Sequence, residues 1–262
     1  MVSSSYAYLP ENEAGVQNEK PEAIENVGID EKLNDTLPLD LEFTDDNGNQ
    51  VTIGSYMSAK RPVILSLVYF SCPSLCNLHL KGVFDVLTQM KLESGKDFEL
   101  LAVSFEPKED SDLAAAKKET YIEEYFGKDS GKAKGIHFLT GSQENVKKLA
   151  DSVGFRYKWV EENKEWAHAS AAIITTPKGL ISRYLHGVYF EPKTFRLSIV
   201  EASKGVIGTI SDSFALFCFR YDPKTNKYSL YIFNVLRAVA SLVLVLLAIW
   251  LIPFWWRSRK RS

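Results

Sequence analysis

Two cysteines four residues apart, Cys72 and Cys76, are the side chains of this chain best suited to do chemistry. They stand in Ser71-Cys72-Pro73-Ser74-Leu75-Cys76, directly after the apolar run from Val63 to Phe70 and before a helical pattern with apolar positions at Leu80, Val83, Phe84 and Leu87. A strand-to-helix turn is a chemical place for thiols: the unpaired N–H groups and the dipole of a helix N-terminus favour thiolate. A four-residue step brings both sulfurs to one side. Such a pair can bind a soft metal or close into a disulfide. Three intervening residues instead of two separate it from the thioredoxin-type redox motif.

A soft thiolate pair selects Cu(I) or zinc, and zinc asks for four ligands where Cu(I) accepts two or three. The candidate third ligand is His168, in Trp166-Ala167-His168-Ala169-Ser170. A loop histidine entering a strand of an α/β sheet can face a thiol turn leaving a neighbouring strand. Position alone leaves a second reading open, a hydrogen-bonded loop histidine. The other three histidines read as structural: His79 on the surface of the helix after Cys76, His137 in a strand, and His186 in a loop after one. Cys218 lies far from the pair in sequence and reads as a buried free thiol.

The elements that must position these residues follow from apolar periodicity. Residues 1–35 are polar, with little periodicity, and read as a flexible leader. Leu39, Leu41 and Phe43 alternate as a strand, and Asp45-Asp46-Asn47-Gly48 turns the chain into a second strand at Val51. The run from Val63 to Phe70 is continuously apolar, as in a strand covered on both faces. A buried strand at 98–104, a helix over 110–125, a strand at Ile136-His137-Phe138-Leu139 and a helix capped by Ser142 follow. Strands at 169–175 and 180–185, joined by Pro177-Lys178-Gly179, close a hairpin before a last helix over 192–202. Alternating strands and helices give an α/β sheet. The order is that of a thioredoxin-like domain with an added N-terminal hairpin, over residues 36–205.

Beyond a juxtamembrane segment at 206–237, residues 238–256 are uncharged and predict a transmembrane helix of roughly 30 Å. Trp250, Trp255 and Trp256 suit an interfacial belt. The basic tail at 257–262 stays cytoplasmic by the positive-inside rule, which puts the main domain on the outer or periplasmic side. The chain has 31 basic and 33 acidic residues, and five of the basic ones lie at Arg237 or in the tail, so the main domain is acidic. Nucleic acid is therefore not an expected partner. Residues 1–20 lack a signal-peptide apolar stretch, which points to a signal already removed rather than to a reversed topology.

The sequence resembles the Sco/SenC family of copper chaperones for cytochrome c oxidase assembly, over most of its length. Tyr69 to Cys76 resembles the family's copper loop, and Ser104-Phe105-Glu106-Pro107 with Asp110 its Ser-Val-Asp-Pro stretch. His168 falls where its third ligand lies. The resemblance is strongest to a subgroup ending in a membrane helix, through Arg183 to Gly187, Val200 to Ser203 and Phe217 to Pro223. It implies a thioredoxin-like fold, copper as Cu(I) and also Cu(II) on Cys72, Cys76 and His168, and delivery to, or reduction of, the dinuclear copper site of the oxidase subunit. Three positions depart from the family pattern. Asn77 stands in place of proline, Glu106 in place of aspartate, and Ala167 in place of an acidic residue, with Glu165 as substitute partner for the imidazole.

The resulting expectation is a metal held at a solvent-accessible turn and released by ligand exchange. Two rivals stand beside it: a membrane-anchored thiol–disulfide oxidoreductase that has Cys72 and Cys76 as its redox pair and no copper role, and an accessory subunit of a respiratory complex.

Overall fold

The structure, a computed structural model, describes residues 26–57, 61–127, 130–208, 219–222 and 227–230. Twelve strands are present among them: β1 (Gly28–Ile29), β2 (Glu42–Asp45), β3 (Gln50–Thr52), β4 (Val63–Val68), β5 (Glu99–Ser104), β6 (Ile136–Thr140), β7 (Phe155–Val160), β8 (Glu165–His168), β9 (Ala171–Thr175), β10 (Ile181–His186), β11 (Phe219–Asp222) and β12 (Lys227–Leu230). Four α-helices accompany them: α1 (Leu75–Gln89), α2 (Ser111–Phe126), α3 (Gln143–Ser152) and α4 (Pro192–Ser203).

Seven strands form the main sheet in the order β10-β9-β4-β5-β6-β2-β3. Its centre is parallel, β4 beside β5 beside β6, and β9 runs antiparallel on the other side of β4. Every residue of β4, β5 and β9 is buried, as continuous apolar runs covered on both faces require. Each buried Val, Leu or Ile there contributes about 1.5–3 kcal/mol. Helix α1 packs against both α2 and α4, and α3 packs against β7. Helices α2, α3 and α4 begin on oxygen caps from Asp110, Ser142 and Glu191, each accepting from backbone N–H groups of the first turn. Helix α1 has no such side-chain cap from its N-cap residue, Ser74.

A second, three-stranded sheet, β1-β7-β8, was not foreseen. Its β7–β8 hairpin turns through Lys164, which adopts a positive φ of 51°. Tyr157, Trp159, Trp166 and His168 line one side by the two-residue period of a strand, with Tyr157 opposite His168 and Trp159 opposite Trp166. This changes the reading of His168 from a loop residue to the last residue of a strand. Residues 26–35 belong to the folded domain rather than the leader: β1 pairs with β7, and Asp30 forms an ion pair with Arg156. Among the described residues no helix is long and apolar enough to cross a membrane. Cys218 and the segment 238–256 lie outside them.

Candidate metal centre

The thiol turn is built at the end of β4. Cys76 is the second residue of α1, and Cys72 lies three residues before the helix. The Cys76 backbone N–H donates to Cys72 Sγ at 3.4 Å, so a sulfur takes the place of the oxygen caps found on the other three helices. The Tyr69 N–H donates to Cys76 Sγ at 3.3 Å. From the other sheet, His168 Nε2 reaches Cys76 Sγ at 3.3 Å. The three ligand atoms of Cys72, Cys76 and His168 all lie within 4.8 Å of one another, the only such group of metal-capable side chains among the described residues. Both thiols are free.

Contrary to the solvent-accessible turn anticipated, the cysteines are buried, with exposures of 4% for Cys72 and 1% for Cys76. The cause is a shell of rings. Phe105 lies 5.4 Å from Tyr69 and 5.1 Å from His168, and Phe155 and Trp166 extend the cluster beyond it. Hydrogen bonds from the Cys76 thiol and from Tyr69 hold the Cys72 thiol far below its ordinary range. Burial, and then the neighbouring Cys72 sulfur, push the Cys76 thiol up. The pair thus favours one thiolate on Cys72 and one proton shared toward Cys76. A soft cation would replace that proton and leave both sulfurs as ligands.

The imidazole is oriented from behind, with His168 Nδ1 2.8 Å from the Ala169 carbonyl. As donor there, Nδ1 carries the proton and leaves Nε2 bare toward the sulfurs. This backbone contact does the work expected of Glu165, for which no hydrogen bond to His168 exists among the described residues. The other departures also find partners. Asn77 donates through Nδ2 to the Cys72 carbonyl at 2.8 Å, a link that proline could not make. Glu106 accepts the Trp166 indole N–H at 2.8 Å, which ties the Ser104–Pro107 stretch to β8.

Sequence reasoning missed Glu109. Its carboxylate accepts from the Phe70 N–H at 2.8 Å, the Ser71 N–H at 2.7 Å, the Ser71 hydroxyl at 2.6 Å and the Ser104 hydroxyl at 2.6 Å. It therefore fastens the approach to Cys72 onto the end of β5. The available signal was the Asp-like spacing after Ser104, which was credited to Glu106 and Asp110. His79 also departs from its expectation. It is 2% exposed rather than on the helix surface, and burial pulls its imidazole down to about 4, so the ring is neutral. His137 lies in β6 as expected, 3.3 Å from Glu99, whereas His186 ends β10, paired with Ala171, rather than standing in the loop after it, and meets Glu31 at 2.7 Å.

A thioredoxin-like α/β fold that presents two free thiols and an imidazole where a strand meets a helix defines a class of dithiol proteins. Residues 30–201 match the model of the SCO1/SenC family, and the chain belongs to that family. An Aquifex aeolicus VF5 structure described as an electron transfer protein is 23% identical, with a TM-score of 0.57 over 66% of this chain and 95% of that one. BsSco, described as a member of the Sco family of cytochrome c oxidase assembly proteins with a disulfide switch, is 17% identical, with a TM-score of 0.52 over 67% of this chain and 98% of that one. A SCO1/SenC family lipoprotein of Bacillus anthracis is 15% identical, with a TM-score of 0.51 over 66% and 95%. A search of curated proteins finds none that matches.

Proposed function

We propose that this chain carries copper on Cys72, Cys76 and His168 and serves the assembly of cytochrome c oxidase, delivering the metal to the oxidase's dinuclear copper site or reducing the cysteines of that site. The observation that carries the reading is the convergence of two free thiols and an imidazole within 4.8 Å. Two sulfurs and one nitrogen match the low coordination number that Cu(I) accepts, and among the described residues there is no fourth side-chain ligand to satisfy zinc. Cu(II) would rest on the same three residues. Copper here is cargo: Cys72 and Cys76 supply the soft ligands, and His168 Nε2 completes the set. A partner's thiolates take the metal by stepwise exchange. The membrane anchor at 238–256, the outer or periplasmic placement of the domain and the cytoplasmic basic tail belong to this proposal.

The reductase form of the reading draws on the low proton affinity of Cys72. Its thiolate attacks a partner disulfide and forms a mixed disulfide, and the partner's first sulfur leaves as thiolate. Cys76 then loses its proton and attacks Cys72, so the protein ends as disulfide and the partner as dithiol.

The deciding experiment loads the reduced full-length chain with Cu(I), alongside Cys72→Ser and His168→Ala variants, and measures retained copper. One copper per chain, lost in the thiol variant and weakened in the histidine variant, is the expected result. No retained copper with a dithiol that cycles readily near −270 mV, roughly the thioredoxin range, would replace the carrier with the reductase.

A further inference from the structure

We infer that His79 is a positioning residue that sets the gap between Cys76 and His168, and hence the hold of the site on its metal. The inference rests on the copper reading and deepens it. The two ligands come from different elements, Cys76 from α1 and His168 from the end of β8. One turn into α1, on the same side as Cys76, His79 reaches three further places. Its Nε2 lies 3.0 Å from Ser66 Oγ on β4. Its Nδ1 lies 2.8 Å from Ser170 Oγ and 3.2 Å from the Gly187 carbonyl.

Ser170 is two residues beyond His168, and Gly187 follows β10. These two are themselves joined, Gly187 N–H donating to the Ser170 carbonyl at 2.8 Å and the Ser170 hydroxyl to the Gly187 carbonyl at 3.2 Å. The ring therefore ties the start of α1 to the segment that carries His168. Phe190 meets the ring edge-on at 5.7 Å and closes the site from solvent. Nearby on α1, Gly82 lets the strap at 187–190 sit against the helix, since a Cβ at that position would overlap the Val188 carbonyl. An apolar side chain would fill the same volume without the desolvation cost of an imidazole, so its polar atoms are what the position uses.

The test separates the two sides of the ring. Asparagine places a polar atom near the position of Nδ1, toward Ser170 and Gly187, while glutamine places one near Nε2, toward Ser66. In the full-length reduced chain, His79→Gln should weaken Cu(I) binding by about tenfold to a hundredfold with one copper per chain retained, and His79→Asn should restore most of it. In a double-mutant cycle the His79→Gln penalty should vanish in a His168→Ala background, because no imidazole is left to position. A merely structural role predicts the same penalty in both backgrounds, and that result, or equal behaviour of the Asn and Gln variants, would overturn the inference.

Ring-nitrogen NMR of the metal-free chain, tractable with four histidines, supplies a readout that needs no copper. The His168 nitrogens should shift in the Gln variant and keep their wild-type pattern in the Asn variant. Were the wild type to take up no copper, the copper reading would fail, and these shifts alone would decide the role of His79.

Discussion

The two ends of the parallel core hold titratable side chains in opposite conditions. At the end where β5 begins, Glu99 is buried and fully compensated: Arg61 meets it at 2.8 Å and His137 at 3.3 Å, and Tyr56 covers the His137 ring at 4.4 Å. At the end where β4 finishes, Cys72, Cys76 and His168 are held by backbone groups and by each other, with no cationic side chain among their described partners. Both clusters connect β-strands and both are largely dry. The Arg61–Glu99 pair spends most of its polar groups on its own partners, with only Arg61 Nε left without one among the described residues. A cluster of soft donors facing one another within 4.8 Å keeps its lone pairs for something else.

That contrast breaks first at the sulfurs. Cys76→Ser should abolish copper retention while leaving the melting temperature of the metal-free chain nearly unchanged, since a hydroxyl fills much of the same space. Equal copper retention by the serine variant would show that the donors at this end do not form a site. The reverse pattern is expected at the other end. Arg61→Ala removes the main partner of buried Glu99 and should cost about 2–3 kcal/mol in denaturant unfolding, below the full cost of breaking a buried pair because Arg61 is 34% exposed. Its copper stoichiometry should stay at one.

Glu109→Gln sharpens the comparison, because it puts an N–H donor among four donors. A loss of about 1–2 kcal/mol is expected, together with faster hydrogen exchange at the Phe70 and Ser71 amides. A further effect is in pH. Folding depresses the Cys72 thiol from its ordinary 9.0, so the stability it contributes is fully present above that value and is lost as pH falls through the folded one. Folding raises Cys76, so its contribution is present below its ordinary value and is lost as pH rises toward the folded one. The reduced, metal-free chain should therefore gain stability from mild acid up to about pH 9 and lose it above. The ultraviolet absorbance of a single thiolate at neutral pH checks the same assignment.

The sequence carried β4, β5, β9 and the four helices because each repeats one period long enough to be read, as in the unbroken burial of Val63–Val68. The thiol pair was legible from its place between such elements. The β7–β8 hairpin was not, because Arg156, Lys158 and Glu165 mask an aromatic alternation that is visible once Trp159 is set opposite Trp166. Gly28–Ile29 is too short for any period. From its place three residues after Cys76, His79 reads as a helix-surface residue. What buries it is the strap at 187–190, a contact across more than a hundred residues that no local pattern encodes. The fourfold use of Glu109 is hidden for the same reason.

The thiols belong to the seven-stranded sheet through β4 and α1, whereas the imidazole ends a strand of the separate three-stranded sheet. A metal bound to all three would add one more tie between two sheets already joined here by the Ala169-Ser170 link, the Trp166–Glu106 hydrogen bond and the rings around Phe105. Loading would stiffen the β7–β8 hairpin against the core. Moving this hairpin away from the core would remove the imidazole from the set and leave the two sulfurs together on β4 and α1.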